Sequence, residues 1–287
     1  MSLLSGSRVR SAFRSLDARI GQDPSLRAGF PAAWSSRSDL PLESGAKFAA
    51  AVHVYHLELL DELIDHLGSI PVEFDLIVTN ASGVDLSLDP GRMPHLQQAV
   101  VLGVQNRGRD LWPLAQVVNA GLLDRYNLIL KVHTKRSDWR AAHGGLSGTG
   151  SSWRSELLSA LLGDGGNVGR ILDAFATLPA LGMVTADGSL LGPGFWGSNE
   201  RATSRLMGRI GLEIRPEELR FAAGSMYWTR ASILQRLRAL HLEGADFEDE
   251  RGQIDGTTAH ALERLIGLVA QEAGLRIAER SQLGVEV

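Results

Sequence analysis

An apolar run, Leu128-Ile129-Leu130, leads directly into Lys131, His133, Thr134, Lys135 and Arg136. Such segments usually end in turns of Gly, Asn or Asp. This one ends in hydrogen-bond donors and positive charge. Three other apolar runs also end in polar groups. "AAVHVY" delivers His53, Tyr55 and His56; "FDLIVT" delivers Thr79, Asn80 and Ser82; "AVVLGV" is followed by Asn106, Arg107, Gly108, Arg109 and Asp110. Arg107, Arg109, Lys131, His133 and Lys135 make a cationic set that suits a ligand with several phosphate oxygens. Arg grips such oxygens bidentately and Lys meets them as a point charge. Each residue also has an ordinary alternative. The arginines can pair with Asp110 and a nearby Glu, Lys131 can snorkel at a sheet edge, and His53 and His133 can be satisfied core histidines.

Two later stretches carry further chemistry. "FAAGSMYWT" sets Gly224 and Ser225 inside an apolar strand, where glycine often marks the close approach of a ligand. Tyr227 and Trp228 after it are aromatic faces on which a sugar can stack, or core residues. "DFEDERGQIDGTTAHALERL" holds Asp246, Glu248, Asp249, Glu250 and Asp255 just before a helix. Asp255 there is either an N-cap or a carboxylate held as a general base.

The elements that must position these residues follow from hydrophobic periodicity. Nearly all-apolar strands alternate with helices such as "LELLDELIDHLG" and "LWPLAQVVNAGLL", the pattern of a mostly parallel sheet covered on both faces. In such sheets ligands bind at the carboxyl ends of the strands, where the polar groups lie. The second half is less regular: helices over "WRSELLSALLG" and "NVGRILDAFATL", a strand at "LGMVTA", one broken by glycine through "LRFAAGSMYWT", and a final helix through "TTAHALERLIGLVAQEAG". The glycine-rich "HGGLSGTGSS" is expected to be a lid over the site. Residues 1–45 are expected to form a helical N-terminal extension whose arginine-flanked stripe of Val9, Phe13, Leu16 and Ile20 either packs on the domain or touches a membrane surface. The catalytic domain is expected over residues 46–287.

Composition narrows the function classes. The chain has 287 residues, 44% hydrophobic, enough to bury a full core. Its 29 basic residues against 33 acidic give a net charge of −4, which argues against a surface built for nucleic acid. With no cysteine, disulfides and thiolate chemistry are excluded. No apolar run reaches the ~18–20 residues of a membrane span, so the expected location is the cytoplasm, at most at the inner face of the membrane. No Walker-type phosphate loop is present.

Five motifs in order, "VHVYHLELLDELIDHLGSIPVEFDLIVTNAS", "NRGRD", "ILKVHTKRS", "FAAGSMYWTR" and "GQIDGTTAHALERL", resemble the rhamnan synthesis protein F family of bacterial polysaccharide glycosyltransferases over roughly residues 50 to 278. The resemblance implies a GT-A-like α/β fold and transfer of a sugar, such as a deoxyhexose, from a nucleoside-diphosphate donor to a glycan or lipid-linked glycan. By that comparison His53, Tyr55 and Asn80 lie near the base and ribose and Asn106 to Asp110 near the nucleotide; Gly224, Ser225 and Tyr227, from the glycine-broken run, are the candidates for the sugar or acceptor. Asp255 falls where inverting members carry the acceptor base, with Glu250 in reserve. Many GT-A enzymes end the fourth strand in an Asp-x-Asp pair that holds a divalent cation. Here Lys131-Val132-His133-Thr134-Lys135 stands in that place. No metal cofactor is therefore expected: Lys131, His133 and Lys135 with Arg107 or Arg109 would neutralise the leaving diphosphate. Were a metal required, Asp110 and Asp187 would be its first ligands. The alternative is a non-catalytic module of the same fold that binds a nucleotide sugar or glycan.

Overall fold

The computed structural model describes residues 35–36, 48–134 and 150–283. Lys135, most of the glycine-rich segment and nearly all of the N-terminal extension lie outside the described residues, so the lid and the helical extension are not among the elements below.

Seven strands and a two-residue bridge build one sheet. In chain order these are β1 (Ser35–Ser36), β2 (Phe48–Val54), β3 (Phe74–Asn80), β4 (Leu96–Gly103), β5 (Leu128–His133), β6 (Leu181–Thr185), β9 (Tyr227–Arg230) and β10 (Arg276–Glu279). Their spatial order is β1-β4-β3-β2-β5-β9-β6-β10. β4, β3, β2 and β5 are mutually parallel, β9 runs against both β5 and β6, and β10 is parallel to β6. A separate two-stranded ribbon pairs β7 (Leu190–Leu191) with β8 (Phe221–Ala222).

All residues of β2 and β5 are buried, as expected of parallel strands covered on both faces. Successive side chains alternate between two cores. Ala49, Ala51, Ile77 and Ile129 pack with helices α2 (Leu111–Asn119) and α7 (Thr258–Glu272). Ala50, Val52, Leu76, Leu130 and Val132 face α1 (Leu60–Leu67), α3 (Gly150–Leu161) and α4 (Gly165–Thr177). The same period of two puts His53, Lys131 and His133 on the α2/α7 side. Two further helices, α5 (Glu200–Arg209) and α6 (Ala231–Gln235), complete that layer.

Chain order runs outward from β2 through β3 to β4 and then returns to the other side of β2 at β5. The crevice at the carboxyl ends of β2 and β5 is thus the topological switch point, where ligands of open α/β sheets bind. His53 and His133 are register partners across it.

Three elements differ from the sequence expectation. "LRFAAGSMYWT" is not one broken strand: β8 and β9 belong to different sheets, and Gly224 (φ +87°) and Ser225 (φ +55°) turn the chain between them in left-handed conformations. The polar helix α5, with few apolar residues in "ERATSRLMGR", and the edge strand β10, only four residues long, carry too little periodicity to stand out.

Candidate functional site

Two cavities open at the switch point and share Arg109 and Asp110. The polar one, of about 1040 Å³ counted to its mouth, is lined by His53, Tyr55, His56, Asn106, His133, Thr134, Glu250 and Gly252. Its neighbour, of about 940 Å³, combines apolar walls from Trp153, Leu191, Phe195, Phe221 and Ile254 with His260, Glu263, Arg264, Gly224 and Ser225. Pockets of a few hundred to about a thousand Å³, part apolar and part polar, are typical of small-ligand sites.

Beneath the cavities lies a closed polar network. Lys131, 3% exposed, donates from Nζ to the Asp110 carboxylate, to Ser225 O at 2.7 Å and to Ser225 Oγ at 2.9 Å. An ammonium has three donors, and all are used. His133 donates from Nε2 to Gly224 O at 3.0 Å and lies 3.9 Å from Asp110 Oδ2. His53 Nδ1 is 3.0 Å from Thr79 Oγ1. Burial pushes the His53 imidazole down to about 4; Asp110 opposes that shift and Lys131 adds to it. Burial alone would raise the Asp110 carboxyl. The charges of His133, Lys131 and His53, with the Lys131 hydrogen bond, outweigh it and hold the group well below the ordinary carboxylate value.

The loop after β4 is shaped by two consecutive left-handed residues, Gly108 (φ +59°) and Arg109 (φ +56°). A Cβ on Gly108 would lie 2.5 Å from the Phe247 ring and 2.6 Å from Trp112 Cβ, so only glycine lets this loop meet the 247–253 segment. Arg107 donates from Nε to Phe247 O at 2.9 Å and pairs with Asp249 at 3.2 Å. Arg109 donates its backbone N–H to Glu250 Oε1 at 3.0 Å and its guanidinium to Gln253 O. Both arginines therefore pin the acidic segment as a wall of the polar cavity.

The residues singled out in the sequence separate into groups. His53, Tyr55, Asn106, Arg109, Asp110, His133 and Glu250 line the polar cavity, and Gly224 and Ser225 the other. The backbone N–H groups of Tyr55 and His56 both donate to Thr134 Oγ1, at 2.9 and 3.0 Å, which ties the ends of β2 and β5 together. Asn80 spends its amide on its own turn, accepting from Ser82 and donating to Val84 O at 2.7 Å. Tyr227 and Trp228 are 2% and 0% exposed: Tyr227 belongs to the core beside Lys131, and Trp228 donates to Leu161 O at 2.8 Å. Neither presents a face to the cleft.

Asp255 lines neither cavity. Its Oδ2 accepts Ser198 N–H at 2.7 Å and its Oδ1 accepts the Asn199 amide. Burial works against its charge, but the bonds from Ser198 and Asn199 prevail and hold the carboxyl below its ordinary value. The N-cap of α7 is Thr257, which accepts His260 N–H in a capping box, so Asp255 does not cap that helix. Asp187, the alternative metal ligand, accepts Ser281 N–H at 2.7 Å. Among the described residues no three His, Asp or Glu converge on a point that could hold a metal ion.

Glu263 and His260 were missed. Their spacing of three places both on one face of α7, opposite the apolar stripe of Ala261, Leu262 and Leu265, and that polar pair in a helix's first turns was the available signal. Glu263 Oε1 accepts Gly224 N–H at 2.9 Å and Oε2 pairs with Arg264 at 2.9 Å. Arg264 itself stacks over Phe221 at 4.5 Å and donates to Phe195 O.

The family model described as rhamnan synthesis protein F matches residues 33–275. Two proteins called uncharacterized protein WxcX, from the B100 and ATCC 33913 strains of Xanthomonas campestris pv. campestris, are each 36% identical over 236 residues. That alignment covers 82% of this chain but 33% of each relative, so the chain spans about a third of the length of the curated relatives it matches. No helix among the described residues is long and apolar enough to cross a membrane. The chain belongs to the rhamnan synthesis protein F family.

Proposed function

We propose that the chain is a glycosyltransferase that moves a sugar, such as a deoxyhexose, from a nucleoside diphosphate to a growing glycan with inversion. The observation that carries this is the meeting of a polar cavity and an aromatic-walled one at Arg109 and Asp110, over the switch point of the sheet. The nucleotide and diphosphate occupy the polar cavity, and the acceptor enters the other against Phe195 and Trp153. The acceptor oxygen attacks the anomeric carbon, the bond from that carbon to the diphosphate oxygen breaks, and the diphosphate leaves with the electron pair.

Glu250 takes the acceptor proton in this mechanism, in place of Asp255. It lines the polar cavity where that cavity meets the acceptor cavity at Arg109, whose N–H its Oε1 accepts, whereas both oxygens of Asp255 are engaged outside the two cavities. Arg109 and His133, which line the polar cavity, meet the diphosphate. Lys131 acts one layer below, as the counter-charge of Asp110. Because the Asp110 carboxylate is already paired with Lys131, the reaction runs without a divalent cation, the leaving charge being met by side chains.

The test is a titration of the protein with UDP, dTDP, GDP and their sugar conjugates, with and without EDTA, followed by a transfer assay. Binding and transfer that survive EDTA, with a loss of about 10²–10⁴ in turnover for Glu250→Gln at unchanged donor affinity, are expected. Binding without transfer would instead favour a nucleotide-sugar-binding module. Strict metal dependence would overturn the cation-only account.

A further inference from the structure

We propose that Glu263, on the wall of the acceptor cavity, is a positioning residue that sets the geometry of the donor cavity through the Gly224–Ser225 turn. Gly224 and Ser225 hold left-handed conformations, with φ of +87° and +55°. That is ordinary for glycine but strained for serine, and strain persists only where neighbours over-determine it. A Cβ on Gly224 would come within 2.9 Å of the Trp153 ring, so the turn is also packed from outside.

Glu263 supplies the constraint from the helix side. Its Oε1 accepts Gly224 N–H at 2.9 Å, while Arg264 Nη1 holds Oε2 at 2.9 Å. Arg264 is fixed in turn by His260 O and by its stack on Phe221. With both oxygens committed, Glu263 is placed to orient rather than to exchange protons.

The other side of the turn carries the consequence. The carbonyl of Gly224 receives His133 Nε2–H at 3.0 Å, and the carbonyl and hydroxyl of Ser225 receive two of the three Lys131 donors. Lys131 gives its third donor to Asp110, which lines both cavities. Loss of the Glu263 bond frees the Ala223–Gly224 peptide, and a change in the Gly224 φ and ψ then shifts the next peptides, which carry the acceptors of His133 and Lys131. An acceptor-side substitution should therefore disturb a donor-side histidine. This structural link stands on the protein alone; its kinetic consequence rests on the glycosyltransferase reading.

The experiment uses the full chain labelled with ¹⁵N-histidine, with His133 assigned through His133→Gln. In the wild type His133 Nε2 donates to Gly224 O. In Glu263→Met, which leaves Gly224 N–H without this acceptor, we expect its ring nitrogens to shift and its Nε2–H to exchange about tenfold faster or more, the loss of roughly one hydrogen bond. Donor KM should rise about tenfold, with a smaller change in acceptor KM, by the same energy. A folded Glu263→Met protein with unmoved His133 signals would overturn the proposal. So would a change confined to acceptor KM, which would make Glu263 an acceptor contact only. A lowered Tm with wild-type His133 signals would mark a structural role alone. If Glu263→Met does not fold, Glu263→Asp keeps the charge beside Arg264 but shortens the reach to Gly224, and the same histidine readout decides. Should the wild type bind no nucleoside diphosphate, the donor assignment fails while the His133 measurement still judges the coupling.

Discussion

Two strands of the parallel sheet end in basic residues, and they use them differently. At the end of β5, Lys131 is 3% exposed and has all three donors satisfied inside the protein. After β4, Arg107 and Arg109 reach a cavity wall and hold it through carbonyl oxygens and the Asp249 carboxylate, with Arg107 32% exposed. The sequence patterns look alike: an apolar run, then cations. Depth makes the difference. A cation in the pleat of a buried strand must bring its own counter-charge, since an unpaired buried ion costs several kcal/mol. One on the following loop can keep water, or a ligand, as its partner.

The largest expected effect tests that contrast directly. Lys131→Met strands the Asp110 carboxylate in the interior and should cost about 3–5 kcal/mol in urea unfolding. Arg107→Met removes a half-solvated pair and should cost about 1 kcal/mol or less. Equal losses at the two positions would show that Lys131 is not the buried brace described here.

Acid should expose the same asymmetry. His53 lies folded at about 4 against an ordinary 6.5, so the unfolded chain takes up the proton first as pH falls. The stability held above pH 6.5 is then lost progressively down to about pH 4, on the order of 3 kcal/mol in all. Asp110 runs in the same direction over a lower window. Its folded value is depressed, so its contribution is complete above the ordinary 3.8 and lost as pH falls below that. Unfolding free energies of wild type and His53→Gln from pH 7 to pH 4.5 should therefore diverge, the variant giving the flatter curve. Parallel curves would mean that His53 titrates normally.

How much of this was legible in the sequence depended on what each signal measures. The parallel core was legible because β2, β3 and β5 are runs buried on both faces, and strand-end positions put His53, His133, Arg109 and Asp110 at the crevice without any coordinates. Whether a strand-end group faces ligand or protein was not legible. Lys131 and Lys135 are four positions apart and chemically identical in the sequence, yet the role of Lys131 is set by Ser225, 94 residues away. The aromatic pair Tyr227-Trp228 offered faces for a sugar, although aromatics in such a run are more often core, and burial assigned it to the core. Glu263 was hidden for a related reason. Its partner is the N–H of a turn whose left-handed geometry has no signature beyond one glycine.

A smaller effect than those of Lys131 and His53 is expected at Asp255, one of the two carboxylates that compete as acceptor base, and it returns to the distinction between brace and ligand. Asp255 ties the 197–199 loop through Ser198 N–H and the Asn199 amide, and a Cβ on Gly197 would lie 2.3 Å from its Oδ2, so the contact is close. In Asp255→Asn one oxygen becomes an NH₂ group facing a donor, which should cost about 1–2 kcal/mol of stability. Turnover should change by less than about tenfold, since removal of a general base costs more like 10²–10⁴. A 10²-fold or greater fall in kcat for Asp255→Asn, with Glu250→Gln near wild type, would return the base to Asp255. The 197–199 loop would then have to release a carboxylate that it now holds by both oxygens. That step would leave its own trace, a turnover sensitive to Asn199→Ala, and so the two assignments differ in more than one measurable way.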